Sequence, residues 1–176
     1  TPGLPAEGAR AFTREKPWIA AVDAFAIGGG CQILLVMDYV LAARGAYMTL
    51  PARKEGIIPG AANLRLPRFC GERIARQLIS KGRGLDCDSP EGLMICDEIA
   101  APEAMDETLA RLVEELTTSG AVSLVGNRRA MRVGLEPLDL FREYMAVYSR
   151  EQAICHFSPQ LIANLEANWR AAERRA

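Results

Sequence analysis

Residues 17–37, PWIAAVDAFAIGGGCQILLVM, carry an apolar run into three consecutive glycines and out into a second apolar run. Trp18 to Val22 is short, apolar and rich in β-formers, which predicts a buried strand, and Cys31 to Met37 predicts a buried helix. Gly28, Gly29 and Gly30 stand at the joint. Without a Cβ they let the backbone turn sharply and let another molecule come within hydrogen-bonding distance of the main chain. A helix that starts there leaves its first N–H groups unpaired at the positive end of its dipole, a place that can hold a carbonyl oxygen as it gains negative charge. Two readings stand side by side: an oxyanion hole, or a glycine-rich turn that only packs a helix closely on a strand. The triplet alone favours the second. Nucleotide binding fares worse, because GGGCQ lacks the Lys-Ser/Thr of a P-loop and the spacing of a dinucleotide fingerprint.

The 176 residues are enough for one domain with a real core, and 49% hydrophobic with 24% charged residues are ordinary globular values. A net charge of −1 offers no electrostatic case for nucleic acid. The apolar stretch 31–43 is broken by Asp38 and closed by Arg44, so no membrane span is expected, and the first residues show no signal-peptide pattern. Cys31, Cys70, Cys87, Cys96 and Cys155 are odd in number and scattered, which reads as reduced thiols in a cytoplasmic protein. His156 is the only histidine, and no Cys/His/carboxylate group has metal-ligand spacing, so no metal is expected. The chain opens on Thr1, and TPGLPAEGARAFTREK has no periodicity; the expectation is the later part of a longer protein, with residues 1–16 a linker or partial element.

Further along, Tyr39 to Ala43 and Ala46 to Leu50 read as strands separated by Arg44-Gly45. Strand, helix, strand predicts an α/β layer. In LPARKEGIIPGAANLRL, residues 50–66, two prolines and two glycines bracket Ile57 and Ile58: a loop of fixed shape with a helix start after Gly60. Its isoleucines face a pocket, a partner or a neighbouring element. Helices are predicted over 72–80 ending at Gly82, after Ser89-Pro90, and from Pro102 with Met105, Leu109, Leu112, Val113 and Leu116 as core positions. A short extended segment falls at 95–100. Three amphipathic helices follow, at 121–133, about 138–155 and about 159–174. Phe141, Tyr144, Met145 and Tyr148 form one stripe, and Leu161, Ile162, Leu165 and Trp169 another. The Arg-rich end, 170–175, reads as a solvated helix terminus. The expected organisation is therefore an α/β core over 17–100 and a helical region over 101–176.

KPWIAAVDAFAIGGGCQ followed by LPARKEGIIPGAANLRL resembles the crotonase (enoyl-CoA hydratase/isomerase) superfamily, because two motifs occur in order at the right separation. The string KEGIIPGAANLRL and the helical tail look most similar to its cofactor-independent dioxygenase branch, which acts on 3,5-dihydroxyphenylacetyl-CoA in glycopeptide-antibiotic pathways. The resemblance spans residues 16 to about 165. It implies a spiral of ββα turns, a trimer or dimer of trimers, and a thioester carbonyl held by two backbone N–H groups. One of these is that of the middle glycine, here Gly29; the other lies upstream of this sequence. It further implies an acyl-CoA and O₂ as substrates, with no metal or organic cofactor.

The resemblance also locates departures. Hydratases place one glutamate two residues after the glycine triplet and a second just after the proline of the later motif; here those positions are Gln32 and Ala52. A carboxamide and a methyl group cannot titrate, so neither can activate water or return a proton. By the same resemblance Gly28, Gly30, Ala52, Ile57, Ile58, Pro59 and Gly60 line the substrate, with Ile57 and Ile58 as an apolar wall. Gln32 hydrogen-bonds substrate or a peroxide, or else satisfies local backbone. Glu55 reads as a replacement base or a salt-bridged loop residue, Asp23 and Asp38 as cap or turn carboxylates. Gln152 reaches substrate from the tail or lies on a helix surface. Two other functional readings remain: a generic hydratase or isomerase relative with a base from elsewhere, and a non-catalytic trimerising module.

Overall fold

The computed structural model describes residues 16–118 and 121–173; the opening stretch and the side chains of Trp169 and of the arginine-rich end lie outside the described residues. The apolar run at the start becomes not one strand but two. Ile19–Val22 is β1, and after the bend at Asp23 and Ala24 the chain forms β2, Phe25–Ile27, then the six-residue helix α1, Gly29–Leu34. The pattern repeats as β3, Tyr39–Ala43, β4, Tyr47–Thr49, and the short helix α2, Ala52–Glu55. Equivalent strands of the two turns pair in parallel: Ile19 to Val22 run beside Tyr39 to Ala42, and Phe25 to Ile27 beside Tyr47 to Thr49. With β5 at Leu85–Asp86 and β6 at Glu98–Ala100, each sheet holds three described strands, in the orders β1-β3-β6 and β2-β4-β5. β6 is parallel to β3, whereas β5 is antiparallel to β4.

The Arg44-Gly45 turn therefore does not make a hairpin. β3 and β4 belong to different sheets, and Gly45, at φ 83°, swings the chain from one to the other. Asp38 behaves as the expected turn carboxylate. Its side chain accepts the Trp18 N–H at 2.7 Å and pairs with Arg128 at 2.8 Å, tying the start of β1 to the α1–β3 turn.

Between the sheets and the helices lies the core, centred on Leu41, Met48, Leu50, Leu66 and Leu78, all at most 1% exposed. Helix α3, Ala62–Lys81, covers it; its second half starts after a break at Gly71 and ends on a left-handed Gly82, as expected. Its first half carries Pro67 and was expected only as a helix start. Single 3₁₀ turns sit at Gly92–Met94 and Pro102–Ala104, the first capped by Ser89 Oγ, which accepts the Gly92 N–H at 3.0 Å. α4, Met105–Thr118, packs on β1 and β3 through the Met105 and Leu112 face. Val113 was expected in the core but is 44% exposed, because one residue past Leu112 the helix has turned by about 100° away from the sheet.

Everything after Thr118 in the described structure is helical: α5, Ala121–Leu135, α6, Leu138–His156, and α7, Pro159–Glu173. Phe141, Tyr144, Met145 and Tyr148 are half-buried, as their spacing implies. The second stripe is not a core face. Leu161 is buried against Gly56 and Asn164 Nδ2 donates to Lys54 O at 2.9 Å, but Ile162 and Leu165 are exposed.

Candidate active site

The glycine elbow is held from one side and free on the other. Gly28 is the N-cap of α1 at φ 57° and ψ −111°, a conformation open to glycine alone. Its N–H donates to Thr49 O at 2.9 Å, which locks the elbow to the end of β4, and its carbonyl accepts from Gln32 N–H at 3.1 Å. Gly29 is the first helical residue and is exposed; among the described residues no acceptor takes its N–H. With six residues, α1 has a small dipole, so it is the free N–H groups of its first turn that attract a negative oxygen. Nothing lies within 4 Å of a Cβ built on Gly29, while one on Gly30 would touch Ala26 Cβ at 3.9 Å.

Cys31, next along, is 1% exposed. Burial, helped by the nearby Cys87 and Cys70, pushes its thiol up to about 12, so it stays protonated and is no nucleophile. Gln32, one turn into α1, is half-buried, and its carboxamide has no hydrogen-bond partner among the described residues. It lies against Gly60: a methyl group built on Gly60 would fall inside the radius of Gln32 Oε1, and Gly60 is itself at φ 43°. The positive φ favours glycine there, and a methyl group would push the end of the Gln32 side chain aside.

The second motif wraps this pair. Ala52 is buried at the start of α2 and has no titrating group. Glu55 is the last, exposed residue of α2, without an ion pair among the described residues. Then Ile57 N–H donates to Ala52 O, Gly60 N–H to Ile58 O and Ala62 N–H to Pro59 O, each at 2.9 Å, so the 56–62 turn is closed on itself. Ile57 and Ile58 are half-buried and Pro59 is buried.

From the tail, Gln152 Oε1 accepts the Ile58 N–H at 2.9 Å, and its Nε2 lies 3.3 Å from His156 Nε2. Tyr144 Oη donates to Gly60 O. Of the residues proposed from sequence, Gln32 meets Gly60, Gln152 is tied to Ile58 and Ala52 O takes the Ile57 N–H, while Gly29 stands three residues before Gln32 on α1. Tyr144 was read only as a core-stripe member; 84 positions separate it from Gly60, and no local signal could have paired them.

A separate cleft of about 600 Å³ opens at the far end of α1, between Leu35 to Asp38, Arg65, Arg68, the α5 residues Arg128, Met131 and Arg132, and Glu136 just after that helix. Four arginines, Arg65, Arg68, Arg128 and Arg132, meet two carboxylates there and leave the cleft basic: Arg65 grips Glu136 at 2.7 and 2.9 Å and Arg128 pairs with Asp38. The Arg65 hydrogen bond holds the Glu136 carboxyl below the usual range. Neither Gly29 nor Gln32 lines this cleft. Among the described residues no group of three or more His, Cys, Asp or Glu is placed to hold a metal ion, and no described helix is long and apolar enough to cross a membrane.

Residues 6–150 fit the family described as Enoyl-CoA hydratase/isomerase. The chain belongs to the enoyl-CoA hydratase/isomerase family. A relative within it is the (3,5-dihydroxyphenyl)acetyl-CoA 1,2-dioxygenase of Amycolatopsis orientalis, 45% identical over 164 residues, which cover 93% of this chain and 37% of that protein. Another is the crotonyl-CoA hydratase of Syntrophomonas wolfei, 29% identical over 123 residues, 69% of this chain and 47% of that one. The solved enoyl-CoA hydratase/isomerase of Pseudoalteromonas atlantica T6c shares the fold, with a TM-score of 0.79 over 97% of this chain and 70% of that one at 23% identity. This enoyl-CoA hydratase/isomerase family chain spans under half the length of the two curated relatives named here.

Proposed function

We propose that the natural-length protein is a cofactor-independent oxygenase that converts an arylacetyl-CoA of the 3,5-dihydroxyphenylacetyl type and O₂ into an arylglyoxylate and free CoA. The observation that carries this reading is the unpaired Gly29 N–H, a donor for an enolate oxygen, in a chain that has Gln32 and Ala52 at the positions of the two hydratase carboxylates. A base takes one α-proton, and the thioester enolate rests on backbone donors. The electron-rich α-carbon reduces O₂ and forms a C–O bond, giving a peroxide. The peroxide attacks the thioester carbonyl and expels CoA as thiolate; the second α-proton leaves as the O–O bond breaks, yielding the α-keto acid. Both oxygen atoms end in the product and no outside reductant is needed.

Gln32 is the hydrogen-bonding group for substrate or peroxide in this reading, Gly28, Gly30, Ala52, Pro59 and Gly60 shape the cradle, and Ile57 with Ile58 supplies an apolar wall that admits O₂. Gln152, spent on Ile58 N–H, serves the wall rather than substrate directly. Similarity to the Amycolatopsis dioxygenase supports the choice. A homotrimer or dimer of trimers would cover apolar side chains that the tail leaves bare, among them Phe157 at 84% and Val133 at 73% exposure. A cytoplasmic setting suits the five free thiols.

The test is O₂ uptake matched by CoA release from dihydroxyphenylacetyl-CoA, unchanged by chelators; uptake that depends on added iron overturns the proposal. Similarity to hydratases favours a second reading, a hydratase- or isomerase-type acyl-CoA enzyme with a base from elsewhere. It predicts loss of enoyl-thioester absorbance without O₂.

A further inference from the structure

We propose that Tyr144 is a positioning residue that acts on Gln32 through Gly60, so that the α6 helix sets the geometry of the candidate site; this rests on the oxygenase reading above. Gly60 stands between Gln32 and Tyr144. On one side a Cα hydrogen faces Gln32 Oε1, which a methyl group there would push aside. On the other its carbonyl accepts the Tyr144 hydroxyl. A displacement of that carbonyl moves the surface on which the Gln32 carboxamide rests, because the peptide unit is planar and rigid.

The phenol is itself braced. Tyr148 stacks beside it with ring centroids 6.3 Å apart and planes 15° from parallel. Burial pushes the Tyr144 hydroxyl above its ordinary value, which keeps it a neutral donor at the pH of turnover. Gln152 adds a second tie one step earlier, at Ile58 N–H. The turn is thus pinned by α6 at both Ile58 and Gly60, two residues apart, while Gln32 keeps a carboxamide with no partner among the described residues.

The experiment is a double-mutant cycle in the natural-length protein, with Tyr144→Phe, Gln32→Ala and the double variant. O₂-linked CoA release from dihydroxyphenylacetyl-CoA is read alongside hydrogen exchange of residues 57–62. Loss of one hydrogen bond gives Tyr144→Phe a kcat about 3- to 10-fold below wild type, with KM within about twofold. In the Gln32→Ala background the same change has no further effect, since interacting groups are non-additive. Exchange over 57–62 speeds up in Tyr144→Phe, while Tyr148→Phe leaves kcat as it was. Full additivity of the two substitutions, or unaltered exchange over 57–62, overturns the proposal. Absence of any O₂-linked turnover in the wild type would refute the oxygenase reading instead, and the exchange measurement would still decide whether Tyr144 holds the turn.

Discussion

Gly29→Pro separates the amide from the glycine. Proline at the first helical position suits its fixed φ, and the N–H it removes has no acceptor among the described residues. A Cβ at Gly29 meets nothing within 4 Å. Stability should therefore change by less than about 1 kcal/mol, since neither a native hydrogen bond nor a packing contact is lost. Catalysis should change far more. Removal of one donor aimed at a developing oxyanion costs about 10²- to 10³-fold in kcat, or about 2.7–4 kcal/mol of transition-state stabilisation. The assay is CoA release, followed with a thiol reagent, and O₂ consumption by the natural-length protein, with a thermal melt of each variant. Gly29→Ala is the companion, because it adds a similar first carbon and keeps the N–H. A Gly29→Pro protein that melts as wild type and turns over within threefold of it would refute the assignment of this amide. Equal losses in the two variants would put the effect in side-chain volume rather than in the hydrogen bond.

The neighbouring glycine should answer oppositely: Gly28→Ala is forced to φ 57° and ψ −111°, which costs about 1–3 kcal/mol in a urea melt even though its Cβ meets nothing within 4 Å. On the alkaline side, the Cys31 thiol rises from 9.0 to about 12 on folding, so its contribution is intact below pH 9 and is lost as pH climbs toward 12. Melting temperatures should fall over that window, by up to about 4 kcal/mol in free energy, and Cys31→Ala should flatten the fall. Glu136 gives the reverse sign: its carboxyl is held below 4.5 by Arg65, so its contribution is present above that value and disappears as pH drops through the folded one. Glu136→Gln should lower stability at pH 7 by under about 1 kcal/mol, given the partial exposure of the pair, and remove that part of the acid sensitivity.

Local chemistry made much of this fold legible. Tyr39–Ala43 announces itself as a buried strand through a continuous apolar run, whereas Ile19–Val22 is legible as a strand but buries only Val22, and Gly82 ends α3 because a left-handed residue closes a helix. Phe25–Ile27 escaped notice since three residues between a bend and three glycines have no periodicity to read. Its pairing with Tyr47–Thr49 is a long-range choice, as is the assignment of β3 and β4 to separate sheets across a turn that locally looks like a hairpin. The exposed faces at Val113, Ile162 and Leu165 show the same limit, because amphipathic spacing marks a stripe but not which neighbour arrives to cover it.

From the sequence by itself come the elbow of three glycines, the absence of titrating groups at positions 32 and 52, and the family to which both motifs point. These are properties of residue type and spacing, and they hold wherever the chain happens to pack. Only the tertiary structure decided that Thr49 takes the Gly28 amide and leaves that of Gly29 open, and that Tyr144 and Gln152 clasp the turn facing Gln32. Those contacts join segments up to 94 residues apart, and a hydrogen bond across such a distance depends on where two rigid elements come to rest.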